Sequence, residues 1–249
     1  MKDVSLRRAQ QALAFERARR DCHAFIFDLK VLYTKDEHDA TNPVKLFPDT
    51  PYLRAVVDCL LVSGRLIHPE NARFALGEAS FELPVLMAMY KSGICFIEKS
   101  RDVMATLTCC AYLLWRARGY EHQLIMVQSR KEEDAANLVF VKEPDIAKIS
   151  FMENHLPGYL RRTAWPRSGA YARLYLDNGS QLWGVPEGGD VIRSNHPSVI
   201  FADEAAFQPE FGASYTAALP AVKGGGQYIA ISSANPGEFY ELVKDLEAA

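Results

Sequence analysis

Short apolar runs alternate with stretches of helical periodicity beyond Gly93, and this alternation limits the possible folds more than any other feature. The apolar runs predict strands over 94–98, 123–128, 172–177, 181–185, 199–203 and 228–232. Helices are predicted from about Met104 to Arg118, onward from Lys131 and near 215–218. This spacing favours right-handed crossovers between strands. The sequence therefore predicts an α/β fold with helices flanking a mainly parallel sheet.

The first 90 residues have a different texture and are predicted to form a mainly helical extension. The predicted elements are a helix over about 6–33, a polar, proline-rich loop over 34–51, and helices over 52–62 and 79–90. Thr50 suits the N-cap of the second helix, because Pro51 then takes the first helical position. We therefore divide the chain into an N-terminal helical extension over 1–90 and a core over 91–249.

The composition is that of an ordinary globular protein, with 49% hydrophobic and 24% charged residues. These values exclude collagen-like, disordered and disulfide-scaffold chains. The 28 basic and 31 acidic side chains give a net charge of −3. This balance argues against a protein that coats nucleic acid through charge alone. A length of 249 residues suits one large domain or one domain with a helical appendage.

Two further absences in the sequence narrow the class of protein. No run approaches the roughly 20 apolar residues that span a bilayer, and the first ten residues are too charged for a signal segment. We therefore expect a soluble, intracellular protein that contacts no membrane. The 5 cysteines lack C-x-x-C spacing and the 6 histidines lack metal-ligand spacing. Buried free thiols are expected, without disulfides or zinc.

Ligands of parallel sheets bind beyond the carboxyl ends of the strands, so the residues that follow each predicted strand are candidates. The first strand of the core leads through a short loop into a helix, whose first N–H groups favour phosphate. Lys99 and Arg101 add positive charge there, and Thr106 offers a hydroxyl to Mg²⁺. The loop lacks the glycines of G-x-x-x-x-G-K-[ST], since Met104 and Ala105 replace its final Gly-Lys. A plain strand-to-helix turn with surface cations is the alternative.

Two later strands end in acidic or small polar residues. Asp203 is placed to hold Mg²⁺, and Glu204 to orient or deprotonate an attacking water. An exposed acidic turn is the alternative there. Ser232 ends the last predicted strand and Ser233 follows it, where hydroxyls can sense a γ-phosphate, although an ordinary exit loop would look the same. In this order the three strand ends predict one nucleotide-hydrolysing site.

Four segments carry a resemblance to a known family: IEKSRDVMAT, VQSRKEEDAANLV, VIFADEAAFQPE and AALPAVKGGGQYIAISSANPGEFYELV. They resemble the ATPase domain of the large terminase subunit of tailed bacteriophages and prophages, over roughly 47–240. The Asp-Glu-Ala-Ala-Phe stretch is the most specific part. The resemblance implies a P-loop NTPase-like fold. It also implies Mg²⁺-dependent ATP hydrolysis that powers packaging of viral double-stranded DNA into a capsid.

The resemblance also implies roles for single residues of this chain. The variant phosphate loop, in which a lysine stands at the start, matches Lys99, Ser100, Arg101, Ala105 and Thr106. Mg²⁺ would be held by Thr106 and Asp203, and Glu204 would be the catalytic carboxylate. The motif that couples hydrolysis to domain movement matches Ser232, Ser233 and Ala234. The segment that packs near adenine is resembled by Phe47 and Tyr52.

Arginines form a separate group of candidates. Arg193 lies about ten residues before the paired acids, where ring-forming relatives place an arginine finger that reaches a neighbour's nucleotide. The alternative is that Arg101 completes the site in cis. A basic segment that also contains aromatic residues suits contact with DNA or another subunit, or is a solvated face. Its arginines are Arg161, Arg162, Arg167 and Arg173.

The resemblance extends to partners and setting. It implies double-stranded DNA, a portal protein and the small terminase subunit as partners, a homo-oligomeric ring as the active form, and the cytoplasm of an infected bacterium as the location. The nuclease domain of the family is expected to be absent from this chain. Two alternatives remain open from the residues: a helicase-like, nucleic-acid-dependent ATPase, and a non-hydrolysing assembly module with a degenerate phosphate loop at Met104.

Overall fold

The computed structural model describes most of the chain. The described residues are 2–36, 39, 43–72, 89–91, 93–100, 103–143, 146–162 and 171–247. Within these ranges, no helix combines the length and the apolar character that crossing a bilayer requires.

The amino-terminal region begins with helix, as predicted, but the helix ends early. Helix α1 covers Lys2–Arg20, and a π-helical turn follows at Ala24–Asp28. Strands β1 (Tyr33–Lys35) and β2 (Val44–Leu46) then pair antiparallel. The prediction of helix to residue 33 and of an uninterrupted loop after it was wrong here, because three-residue strands are too short to show a period in the sequence.

Helix α2 (Pro51–Ser63) confirms the predicted cap. The Thr50 hydroxyl accepts a hydrogen bond from the backbone N–H of Leu53, at 3.2 Å, and Pro51 takes the first helical position. The helix predicted over 79–90 falls mostly on residues 73–88, which lie outside the described residues. Its last two residues, Met89 and Tyr90, belong to a strand instead, since they pair with the strand that follows them.

A seven-stranded sheet forms the centre of the described part. Its strands are β3 (Met89–Lys91), β4 (Ile94–Glu98), β5 (Leu124–Ser129), β6 (Arg173–Tyr175), β7 (Gln181–Pro186), β8 (Val199–Asp203) and β9 (Gln227–Ser232). Their order is β3-β4-β9-β8-β5-β7-β6. The five inner strands run parallel, whereas β3 and β6 pair antiparallel at the two edges. The predicted mainly parallel sheet is confirmed.

Helices cover both faces of this sheet. They are α3 (Ala105–Gly119), α4 (Glu132–Val139), α5 (Lys148–Asn154), α6 (Asp190–Arg193), α7 (Phe211–Lys223) and α8 (Glu238–Glu247). Alternate residues of one strand enter different cores: Cys95 and Ile97 pack in the larger core with α2 and α3, and Phe96 packs on the other face with α7 and α8. The strands are therefore buried on both faces, as parallel strands usually are.

The hairpin predicted at Asn178-Gly179 is confirmed, and the five cysteines are free and buried. The proposed boundary between extension and core, at residues 90 and 91, falls inside β3. Helix α2 shares the larger core with α3, so the amino-terminal region packs directly on the central sheet.

Candidate active site

Three predicted strand ends meet at one edge of the sheet. Strand β9 lies between β4 and β8, with Glu98 opposite Ser232 and Asp203 opposite Ile231. The residues that follow β4 and β8 therefore flank the end of β9. A backbone hydrogen bond of 2.9 Å from the N–H of Lys99 to the carbonyl of Ser232 holds the start of the loop after β4 against β9.

The loop after β4 leads into α3 through an unusual backbone conformation. Met104, the N-cap residue, has a φ of 56° and a ψ of 16°, in the left-handed region that glycine adopts more readily. Ala105 is buried in the first turn of the helix, and Ser100 is exposed. Arg101 lies outside the described residues. Met104 thus adopts a left-handed conformation that is more usual for glycine.

Thr106 and Asp203 come together across the sheet edge. The Thr106 hydroxyl donates a hydrogen bond of 2.9 Å to Oδ1 of Asp203. Burial raises the pKa of Asp203 to about 6, and the hydrogen bond from Thr106 opposes that rise. Mg²⁺ prefers such hard oxygen ligands, and it usually takes one or two protein ligands together with phosphate oxygens. The donor set therefore fits Mg²⁺.

Lys99 and Glu204 form a second pair beside the first. Nζ of Lys99 lies 3.0 Å from Oε1 of Glu204, with 10% of the lysine side chain and 42% of the glutamate side chain exposed. Glu204 has a φ of 49° and a ψ of 45°, also in the left-handed region. This conformation turns the chain out of β8 immediately after Asp203. The carboxylate of Glu204 thereby comes within reach of the lysine.

The end of β9 is tied to the segment that follows Glu204. Oγ of Ser232 accepts a hydrogen bond of 3.1 Å from the N–H of Ala206, and the Asn235 amide donates one of 2.9 Å to the Ala206 carbonyl. Ser233 is half-buried near the acids, and Ala234 is exposed. The coupling role of Ser232, Ser233 and Ala234 stays a prediction, but the first of them is mechanically connected to the acidic segment.

Two clefts open on either side of Lys99. The first, of about 840 Å³, lies between the first turn of α3, helix α5 and the β1–β2 pair. The second, of about 610 Å³, lies over the ends of β5, β8 and β9. Lys99 lines both clefts, so a phosphate chain placed between them would meet its amine.

Several residues of these clefts were missed from the sequence. Lys35, Lys45 and Lys148 line the first cleft with Phe151, and Arg130 lines the second. Arg130 follows the end of β5, so the strand-end argument that found Asp203 could have found it. The three lysines gave no such signal, because distant elements bring them to the cleft.

Phe47 and Tyr52 are not brought to either cleft. They are only 6% and 8% exposed and belong to the larger core, where the Phe47 ring contacts the ring of Phe27 edge-on. Burial raises the pKa of Tyr52 to about 12. In this arrangement the two side chains pack in the core, and their contact with adenine stays a prediction.

Arg193 lies at the opposite end of the sheet. It lines a cleft of about 670 Å³ with Gly224–Gly226 and the residues that precede β8, and its side chain, 59% exposed, pairs with Asp190 at 3.0 Å. Arg193 and Glu204 therefore line different clefts, and the predicted action of Arg193 on a neighbour's nucleotide stays a prediction.

The predicted basic segment is only partly described, since Arg167 lies outside the described residues. Arg162 pairs with Asp177 at 3.0 Å, and Arg161 donates to the carbonyl of Leu156. The exposed Arg173 guanidinium lies 4.0 Å from the centre of the Trp183 ring. Contact with DNA or another subunit stays a prediction for this segment.

Comparison with known proteins supports the fold. No family model and no curated protein matches the sequence. The crystal structure of the HK97 bacteriophage large terminase is similar, with a TM-score of 0.58 at 14% identity, over 92% of this chain and 40% of that chain. The fold is P-loop NTPase-like. The predicted resemblance to the large terminase is thus confirmed as a likeness of fold, and this chain spans less than half the length of the HK97 protein.

Two further structures are similar over smaller parts of this chain. The ATPase domain of the Thermus phage P74-26 large terminase has a TM-score of 0.40 at 13% identity, over 64% of this chain and 68% of that one. The large terminase of another thermophilic bacteriophage, in complex with ADP, has a TM-score of 0.45 at 14% identity, over 70% of this chain and 38% of that one.

Proposed function

We propose that this chain binds ATP with Mg²⁺ and hydrolyses it to ADP and phosphate. One observation carries the proposal: the Thr106 hydroxyl, in the first turn of α3, donates to the buried Asp203 carboxylate at 2.9 Å. A hydroxyl at a helix start and an acid at a strand end, joined in this way, provide oxygen ligands beside amides that favour phosphate.

The roles of the surrounding residues follow from their positions. Lys99 and the loop amides hold the β- and γ-phosphates, while Thr106 and Asp203 hold Mg²⁺. Bound Mg²⁺ would neutralise charge on the phosphate oxygens. Glu204 orients the attacking water and accepts its proton. Because Lys99 already contacts Glu204, the phosphates compete with this carboxylate for the lysine.

We further propose that hydrolysis drives the packaging of viral double-stranded DNA. The support is the likeness of fold to the HK97 large terminase. In this proposal the chain works in the cytoplasm of an infected bacterium as a homo-oligomeric ring with a portal protein and a small terminase subunit. Arg193 reaches the nucleotide of a neighbour, and the basic segment with Arg161, Arg162 and Arg173 contacts DNA or another subunit.

Calorimetric titration of ATP and Mg²⁺ into the purified chain, together with a phosphate-release assay, tests the proposal. Lys99→Ala is expected to abolish binding, because the phosphates lose their buried cation. Glu204→Gln is expected to retain binding and to lower kcat by about 10² to 10⁴, the usual contribution of a general base. Lys142→Ala, which changes an exposed lysine that lines neither cleft, is the matched control.

Failure to bind nucleotide would overturn the proposal. If the unmodified chain and both variants fail to bind at millimolar ATP while remaining folded, the Thr106–Asp203 pair is structural, and a non-hydrolysing assembly module explains the chain better. Hydrolysis that survives Glu204→Gln unchanged would remove Glu204 from its role.

A further inference from the structure

The cleft over Glu204 contains an arginine to which neither the sequence nor the resemblance gives a role. Arg130 lines this cleft with Lys99, Asp203 and Glu204. Arg193 lies at the other end of the sheet, so Arg130 is the arginine that the described residues place on the same side as the catalytic carboxylate.

Arg130 and Glu204 follow the ends of two neighbouring strands. Strands β5 and β8 run parallel, and Gln128 and Ala202 are their last paired residues. Neighbouring strands are about 4.8 Å apart. Arg130 comes one residue after the end of β5 and Glu204 one residue after the end of β8, and both side chains line the same cleft.

The backbone that carries Arg130 is held firmly. Ser129, the last residue of β5, is buried, and it pairs with Pro186 of β7. The Gln128 amide donates two hydrogen bonds of 3.0 Å, to the carbonyls of Pro186 and Gly188. The exposed side chain of Arg130 thus starts from a firmly held strand end.

The guanidinium of Arg130 is available for a ligand. Among the described residues, no carboxylate lies within ion-pair distance of it, whereas Lys99 is already paired with Glu204. The carboxylates that line the cleft are Asp134, Asp203 and Glu204, against the two cations Lys99 and Arg130. A planar guanidinium suits phosphoryl oxygens, because it can donate two parallel hydrogen bonds to them.

We propose that Arg130 is a catalytic residue that acts in cis on the transferred phosphoryl group; this rests on the proposed ATP hydrolysis. Water attacks the γ-phosphorus and passes its proton to Glu204. The bond from the γ-phosphorus to the β–γ bridging oxygen breaks, and ADP and inorganic phosphate are released. Arg130 donates hydrogen bonds to the equatorial oxygens of the transferred phosphoryl group. These bonds stabilise the transition state more than they stabilise bound ATP.

The test compares Arg130→Ala, Arg130→Lys and Lys131→Ala in the full chain. Lys131 is the adjacent exposed cation and makes no capping hydrogen bond, so it is the matched control. Arg130→Ala should lower kcat by about 10³ or more, the contribution of arginines in such sites. Calorimetry should show ATPγS with Mg²⁺ binding within about twofold of the unmodified chain, but loss of binding of ADP with aluminium fluoride and Mg²⁺. Arg130→Lys should have an intermediate kcat, because lysine keeps the positive charge but cannot donate two parallel hydrogen bonds.

A mixing experiment separates action in cis from action in trans. Glu204→Gln chains carry an intact Arg130, so they would restore the activity of Arg130→Ala chains only if the arginine served a neighbour. No restoration is expected, and restoration would overturn the proposal.

Other outcomes also overturn it. Equal loss of ATPγS and aluminium fluoride complexes would make Arg130 a binding residue, without selectivity for the transition state. Unchanged kcat with weaker binding of a double-stranded DNA oligomer would make it a DNA contact. If the unmodified chain binds neither nucleotide complex, the proposed function fails together with the role of Arg130. If it binds both and Arg130→Ala behaves like Lys131→Ala, only the role of Arg130 fails.

Discussion

The two ends of the parallel sheet differ in how their charged side chains are satisfied. At the carboxyl end, Lys99 pairs with Glu204 and Thr106 donates to Asp203. At the amino end, the cleft around Arg193 and Arg116 has no acidic residue among its described lining. Both arginines stand in the last turn of a helix, where a cation is favourable. Asp190, which pairs with Arg193, lies outside the lining of that cleft, whereas Asp203 and Glu204 line the cleft at the carboxyl end.

The backbone differs less between the two ends. Met104 and Glu204, both at the carboxyl end, occupy left-handed conformations that cost of order 1–3 kcal/mol for non-glycine residues. At the amino end, His122, two residues before β5, also has a positive φ of 54°, and the positive φ before β9 falls on a glycine, Gly225, for which it is cheap. Both ends therefore contain a non-glycine residue in an unfavourable conformation, and those at the carboxyl end are the ones beside the proposed chemistry.

The first prediction tests whether the amino end of the sheet in one copy contacts the carboxyl end of the sheet in a neighbouring copy. If Arg193 reaches a neighbour's site, Arg193→Ala should lower kcat by about 10³ to 10⁵ without loss of stability. Adding Glu204→Gln chains, which carry an intact Arg193, should restore activity as total protein concentration rises. The measurement is a phosphate-release rate over a concentration series, with Lys223→Ala, an exposed lysine ending α7, as the control. An unchanged rate for Arg193→Ala would show that Arg193 does not act on a neighbour's nucleotide.

The second prediction concerns stability near the amino end of the sheet. The buried Arg118, in the last turn of α3, pairs with the buried Glu153 of α5, whose pKa is raised by burial and held down by Arg118. Glu153→Gln should lower the free energy of unfolding by about 3–5 kcal/mol, because it leaves Arg118 buried without its counter-charge.

Urea unfolding followed by circular dichroism measures this loss. The exposed Glu143→Gln is the control, and the double variant Arg118→Met with Glu153→Leu should recover much of the loss, since it removes both charges. If Glu153→Gln does not change the urea midpoint, water reaches the Arg118–Glu153 pair and the prediction is wrong.

The third and smallest effect compares one serine at each end. Ser232→Ala removes the acceptor for the Ala206 N–H and should cost about 0.5–1.5 kcal/mol of unfolding free energy. Ser198→Ala, before β8 at the amino end, should change it by less than about 0.5 kcal/mol. Equal midpoints for the two variants in urea unfolding would contradict the idea that the carboxyl end is tied together by its side chains.

The sequence predicted the carboxyl end well because each strand there is a short apolar run with a polar residue at its end or directly after it. Lys99, Asp203 and Ser232 were found by that rule alone. Parallel strands then bring such residues together, whatever the details of the connecting helices. The same rule applied to β5 would have added Arg130.

Other features depended on packing that no local pattern reports. The β1–β2 pair interrupts a proline-rich segment, and its lysines reach the first cleft only because the chain folds back beside α5. Phe47 and Tyr52 were linked to adenine by resemblance, yet their apolar rings are buried in the core. The sequence shows that Arg193 lies about ten residues before Asp203 and Glu204. It does not show that Arg193 lines a cleft at the amino end of the sheet.

The outer strands of the sheet limit how copies of this chain can associate. Within the part of the chain that the structure describes, β3 and β6 each cover only three residues and run antiparallel to their neighbours. A short antiparallel edge offers few free backbone groups to a strand from another molecule. Extension of the sheet from one copy to the next is therefore disfavoured. In the proposed ring, copies would meet through loops and helices, and each sheet would stay intact.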